Sequence, residues 1–329
     1  MSAKPTPANS PIALIASDTG IMICGHGSRD RAAVEEFNQL AVEFKKKLKN
    51  TDVESGFLEF ATPVIRDGLD ALKERGIKKI ICLPGMLFAA GHVKNDLPSE
   101  INNYAAENPE LELVYAADLG IDARMLNAAQ ARIAKAISSA AGEVALGDTM
   151  ILVVGRGTND SDANSNVCKV TRMLWEGLGV GWAETAYSGV ASPLVDDALE
   201  KCVRMGFKRI VVFPYFLFTG ILVKRIYNWV DEAAIKNPDI QFIKADYLGH
   251  HSDVIATFLS RVGEAINGTG VMNCQLCKYR EQIIGHEHDH GAPQVGHHHH
   301  VQGIGTEENA EDHGHSHHHG HHHGHDEDK

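Results

Sequence analysis

The chain has 329 residues, 43% of them apolar, and a formal charge of −12, which is enough apolar content for two ordinary cores. Residues 286–329 hold nine carboxylates and one lysine, so the body carries only about −4 and lacks the basic excess of a nucleic-acid binder. No apolar run has signal-peptide or membrane-spanning length, and the six cysteines do not read as a disulfide framework, so a cytoplasmic protein with no membrane partner is expected.

After a proline-bearing extension (residues 1–19), residues 21–24 form a short β-branched run that reads as a buried parallel strand. The turn Gly25-His26-Gly27-Ser28-Arg29-Asp30 follows, then an amphipathic helix over 32–49, a strand over 53–60 that carries Glu59, and a helix over 63–75. Strands at 80–83 and 111–115 bracket His92. The order then restarts, with strands at 150–154, 210–213 and 240–243 and helices at 193–205 and 222–234. This alternation predicts an α/β protein of two tandem doubly wound parallel-sheet domains, residues 20–140 and 141–268, facing a central cleft. Cys24, Cys82, Cys168 and Cys202 lie in or beside apolar segments, the usual place of small buried thiols. Residues 269–285 contain Met272, Cys274 and Cys277 in MxCxxC spacing. Sixteen of the 20 histidines fall within 286–325 among Gly, Asp and Glu, a composition that predicts a disordered metal-binding tail over 286–329.

The two halves are copies. Residues 23–30 recur in altered form at 153–160, Ala61-Thr62-Pro63 answers Ala191-Ser192-Pro193, and Leu83-Pro84 answers Phe213-Pro214, all at an offset of 130. A single-residue deletion brings Asn108-Pro109 against Asn237-Pro238 and Leu119-Gly120 against Leu248-Gly249 at 129. Shared positions report the common fold, so differences mark where function has become one-sided. His26 becomes Arg156, Glu59 becomes Gly189 and His92 becomes Leu222. Two imidazoles and a carboxylate suit Co2+, Ni2+, Fe2+ or Zn2+ and leave coordination positions open. Strand ends in such sheets line the ligand crevice, so these three side chains are expected to converge there. Neither glycine-rich turn has the spacing of a dinucleotide fingerprint or of a phosphate loop with its lysine, so no nucleotide is expected. One CxxC pair supplies only half of a four-thiolate set; a partner subunit could complete it, which makes a homodimer one expectation.

These motifs, together with Leu58-Glu59-Phe60-Ala61-Thr62-Pro63, with residues 83–92 and their echo at 213–220, and with MxCxxC followed by histidines, resemble the class II chelatase family that acts on sirohydrochlorin, and within it the long CbiX cobaltochelatases. The resemblance covers about residues 20–277. It implies insertion of Co2+ into sirohydrochlorin without ATP, within cobalamin synthesis, with His26 and His92 as metal ligands, Glu59 as the accompanying acid and an iron–sulfur centre at Cys274 and Cys277. A polycarboxylated macrocycle needs local cations, for which Arg29, Lys94, Arg156, Lys224 and Arg225 are the candidates beside the repeated motifs. Two alternatives remain open at this point: an iron chelatase of sirohaem synthesis with the same site, and a metal-binding module or metallochaperone in which the tail is the working part.

Overall fold

A computed structural model describes residues 15–270. The start of the N-terminal extension, the Cys274 and Cys277 pair and the histidine-rich tail lie outside the described residues. The first half runs β1 (Thr19–Gly25), α1 (Arg31–Lys47), β2 (Val53–Phe57), α2 (Ile65–Glu74), β3 (Lys79–Pro84), α3 (Leu97–Glu107), β4 (Glu112–Tyr115) and α4 (Ala123–Ser138). The second half repeats it as β5 (Thr149–Gly155), α5 (Ser161–Leu178), β6 (Trp182–Tyr187), α6 (Val195–Arg204), β7 (Arg209–Pro214), α7 (Ile221–Lys236), β8 (Gln241–Lys244) and α8 (Ser252–Ile266). Each half forms a four-stranded parallel sheet, in the orders β2-β1-β3-β4 and β6-β5-β7-β8. The central strands are buried on both faces, which is why they read as unbroken apolar runs. No helix among the described residues is long and apolar enough to cross a membrane.

Alternation along β1 assigns its two faces. Ile21 and Ile23 point to a core with α1 and α8, whereas Met22 and Cys24 pack with Ile65, Leu69 and Leu97 of α2 and α3. In the second half Ile151 and Val153 point inward, while Met150, Leu152 and Val154 pack against α6 and α7. The inward faces do not make two separate cores. Phe44, Met125 and Ile133 share one cluster with Val170, Leu174, Phe258 and Val262, so α1, α4, α5 and α8 lie between the sheets as a common layer. The expectation of two cores is therefore corrected to one shared core and two outer ones. The apolar faces of α4 and α8 pack on each other, and each helix also reaches the other half's sheet, α4 on β7 and β8 and α8 on β3.

α1 illustrates how local signals set this layer. Asp30 caps it by accepting from the Ala32 amide, and Lys45, Lys46 and Lys47 sit at its negative end. Phe37, Leu40, Ala41 and Phe44 recur at helical spacing on its buried face. Phe44 is wholly buried, and its loss to alanine would cost about 3–5 kcal/mol.

Two lysines at equivalent positions of the repeat form three ion pairs between the halves. Lys94 Nζ lies 2.8 Å from Asp160 and 3.2 Å from Asp162, and the counterpart Lys224 Nζ lies 2.6 Å from Asp30. Both carboxylates at the repeated position, Asp30 and Asp160, cap the helix that follows β1 or β5. The carboxyl ends of the two sheets are thus held side by side.

Candidate metal centre

Backbone pairing places the first two side chains. Beyond β1 and β2 the chains stay in register, with the Leu58 amide donating to Gly25 and the Glu59 amide to His26 at 2.8 and 3.0 Å. Glu59 is not on a strand as the sequence indicated; β2 ends at Phe57, and Phe60 takes the left-handed region at φ 62°. The close approach depends on Gly27, at φ 96°, because a Cβ there would stand 1.6 Å from the Glu59 carbonyl oxygen. The same cradle recurs at Gly157 against Gly189, and Val190 repeats the positive φ at 65°.

The third side chain comes from a π-helical turn over His92–Asp96 that leads into α3. A π turn holds one residue more than an α-helix would, and α7 opens with none. Lys94 and Lys224 keep equivalent roles at an offset of 130, whereas Leu97 and Ile226 keep equivalent buried places at 129. Asn95 and Asp96 together therefore oppose Arg225 alone. The supposed deletion in the second copy is this turn, and the extra residue supplies Asp96.

Asp96 was not recognised in the sequence, and it orients His92. Its Oδ2 lies 2.7 Å from His92 Nδ1, Asn95 Nδ2 donates to its Oδ1 at 3.0 Å, and it is almost wholly buried. His92 Nδ1–H thus donates to a carboxylate, which directs Nε2 outward as an acceptor. His26 is set in the same way, with Nδ1 2.9 Å from the Gly27 carbonyl. The two Nε2 atoms face each other at 3.0 Å, and Glu59 Oε1 lies 3.2 Å from that of His26. Three acceptors on a partly exposed surface, all within 4.8 Å, call for a cation between them. With metal–nitrogen bonds of about 2.1 Å, a separation of 3.0 Å subtends about 90° at the ion, the angle of adjacent octahedral positions. The remaining face stays open.

Burial raises the Glu59 carboxyl to about 7, against the opposing pull of His92, Arg29 and Arg156. It therefore exchanges protons near neutral pH, where a general base works best.

The five predicted cations are distributed unevenly. Arg29 is exposed and stacks on Phe60 at 5.1 Å. Arg156 and Arg225 are exposed, and Arg225 donates to the Ser188 carbonyl at 2.7 Å. Lys224 is largely exposed and paired to Asp30. Lys94 is corrected: its side chain is 1% exposed and bridges Asp160 and Asp162 at the junction of the halves rather than reaching a ligand. Cys168 is also corrected, being exposed, while Cys24, Cys82 and Cys202 are buried.

The family model described as CbiX matches twice, over residues 20–136 and 150–265. The chain belongs to the CbiX family. Among CbiX relatives, a sirohydrochlorin cobaltochelatase of Priestia megaterium is 35% identical over 82% of this chain and 87% of its own. A sirohydrochlorin ferrochelatase of the same organism is 32% identical over 74% of this chain and 88% of its own. The crystal structure of the sirohydrochlorin chelatase SirB from Bacillus subtilis subspecies spizizenii, in complex with cobalt, superposes with a TM-score of 0.65 at 26% identity, covering 76% of this chain and 96% of that one.

Proposed function

We propose that this CbiX-family chain is a sirohydrochlorin chelatase that inserts Co2+ without a nucleotide, using one site in its first half. The observation that carries the reading is the convergence of His26 Nε2, His92 Nε2 and Glu59 Oε1, with both imidazoles partly exposed and the carboxylate buried. The three hold the incoming ion on one face, and the macrocycle approaches the other. Insertion replaces two pyrrolic protons by one divalent ion, so two protons must leave as the nitrogens take over from the protein ligands. Glu59, poised near neutrality, accepts one as it releases the metal, and an imidazole freed from the ion accepts the other. Three side-chain ligands keep the ion exchangeable, as delivery requires.

Two observations favour cobalt: the cobaltochelatase relative aligns over more of the chain than the ferrochelatase relative, and the sixteen histidines at 286–325 supply imidazole sites suited to late first-row ions. We read those histidines as a local metal reserve. Iron is the second reading, because two imidazoles and a carboxylate also suit Fe2+ and a ferrochelatase relative matches at 32% identity. The test is anaerobic absorbance of sirohydrochlorin with Co2+, Fe2+ or Ni2+ in turn, for wild type and His92→Ala. Fast insertion that ranks Co2+ first and is lost in the variant is expected. An Fe2+ preference would move the assignment to sirohaem synthesis, and no acceleration with any ion would leave a metal-binding module.

A further inference from the structure

The second half has lost the metal set, and what replaces it has the opposite electrostatic preference. Arg156 stands at the position of His26 and keeps its backbone contact, with Nη1 3.4 Å from the Gly157 carbonyl. Gly189 removes the carboxylate, and a Cβ built there would meet only Arg225 Nη2, at 3.9 Å. Arg225, which opposes Asn95 and Asp96 in the repeat, thus lies beside the volume that a Glu59 side chain would fill. Its plane is fixed from two sides, by the hydrogen bond to Ser188 and by the Trp229 ring, whose centroid is 5.2 Å from Cζ. Two positive guanidiniums at these positions repel a metal ion, and the chemistry of each suits a carboxylate.

The surroundings fit a flat, apolar molecule with acidic edges. Val190 is 76% exposed and Ile221 66%, and they flank Gly189 and Leu222. Val190 is a β-branched residue held at φ 65°, a conformation that such side chains rarely adopt. Arg156 lies near enough to Glu59 for its charge to favour the ionised carboxyl.

We propose that Arg156 and Arg225 form a carboxylate-binding subsite that grips an acidic side chain of the macrocycle, with Val190 and Ile221 as an apolar rim, and so sets the ring over His26, Glu59 and His92. The inference rests on the chelatase reading above and names how that site holds its substrate. The degenerate copy is then a docking half, built from the same turns as the catalytic one.

The test is equilibrium binding of metal-free sirohydrochlorin, followed by its absorbance, to wild type, Arg156→Gln, Arg225→Gln and the double variant, with the fully esterified macrocycle as an uncharged probe. Both arginines are exposed, and circular dichroism checks that each variant is folded. Each glutamine variant should weaken binding of the acid about tenfold and raise KM more than it lowers kcat. The ester should bind wild type and the double variant alike, and Arg→Lys should recover part of the lost affinity. Wild-type affinity for the acid in the folded double variant would overturn the subsite while leaving the chelatase reading intact. Failure of the wild type to bind the acid at all would overturn both.

Discussion

Lys94→Met removes an ammonium group from the junction of the two halves while keeping most of the aliphatic stem. The side chains of Lys94, Asp160 and Asp162 are 1%, 6% and 8% exposed, so the substitution leaves two carboxylates without their buried cation. Removing one partner from a buried pair costs about 3–5 kcal/mol, mainly because the other charge stays desolvated. The repeat supplies an internal control: Lys224 makes the matching contact to Asp30 with its side chain 59% exposed, and an exposed pair contributes about 0–1 kcal/mol. At about 2–4 °C per kcal/mol for a protein of this size class, Lys94→Met should lower Tm by between about 6 and 20 °C and Lys224→Met by less than about 4 °C. Thermal unfolding followed by circular dichroism measures both, and urea titration checks that the m-value is unchanged. Equal shifts in the two variants would refute the claim that burial makes the Lys94 bridge the structural one.

Asp96→Asn keeps the shape of the His92 support but removes its charge, and insertion kcat/KM with Co2+ should fall about 10–100-fold with little change in Tm; unchanged Co2+ affinity and rate would reject the positioning role. Because Glu59 titrates near 7, metal must displace its proton, so apparent Co2+ affinity at this site should rise by up to about tenfold per pH unit below that point and level off above it, and calorimetry of Glu59→Gln should lose this component. The same group fixes a stability sign. The folded carboxyl binds its proton more tightly than the unfolded one at 4.5, so the metal-free fold should lose stability, by up to about 3 kcal/mol, as pH rises from 4.5 to about 7. A Glu59→Gln fold with the wild-type slope in that window would contradict this. Removing residues 286–329 should slow insertion at scarce Co2+ and leave it unchanged in excess; complete loss of turnover in excess metal would sink the reserve role.

The strand and helix pattern was legible because parallel strands buried on both faces must be apolar throughout, as residues 150–154 are. The convergence of His26, Glu59 and His92 was legible because the second copy lacks all three, which sets them apart from the positions that the shared fold keeps. The turn that holds Glu59 was not, since Phe57 and Leu58 read on as strand residues and nothing in them signals the positive φ at Phe60. Asp96 had a signal, the change of offset from 130 to 129, but an offset alone does not say that the extra residue sits in a π turn. Lys94 reads like any helix-surface lysine, because its carboxylate partners Asp160 and Asp162 lie 66 and 68 residues away in the other half. Cys168 follows the buried Val167 on α5, and one residue along an α-helix turns the side chain by about 100°, off the buried face. The shared core was hidden because an amphipathic face such as Met125, Ala129 and Ile133 on α4 specifies burial but not the partner.

The central claim is that one ion held by His26, Glu59 and His92 passes to the macrocycle. Stopped-flow spectroscopy of protein preloaded with Co2+ tests it, following the visible bands of protein-bound cobalt and the absorbance of the product together, in wild type and His92→Ala. The histidines at 286–325 contribute equally to both proteins, so the difference isolates the site. The account predicts one extra equivalent of cobalt in the wild type, whose signal decays at the rate at which product appears. An identical cobalt signal and an identical insertion rate in His92→Ala would contradict it.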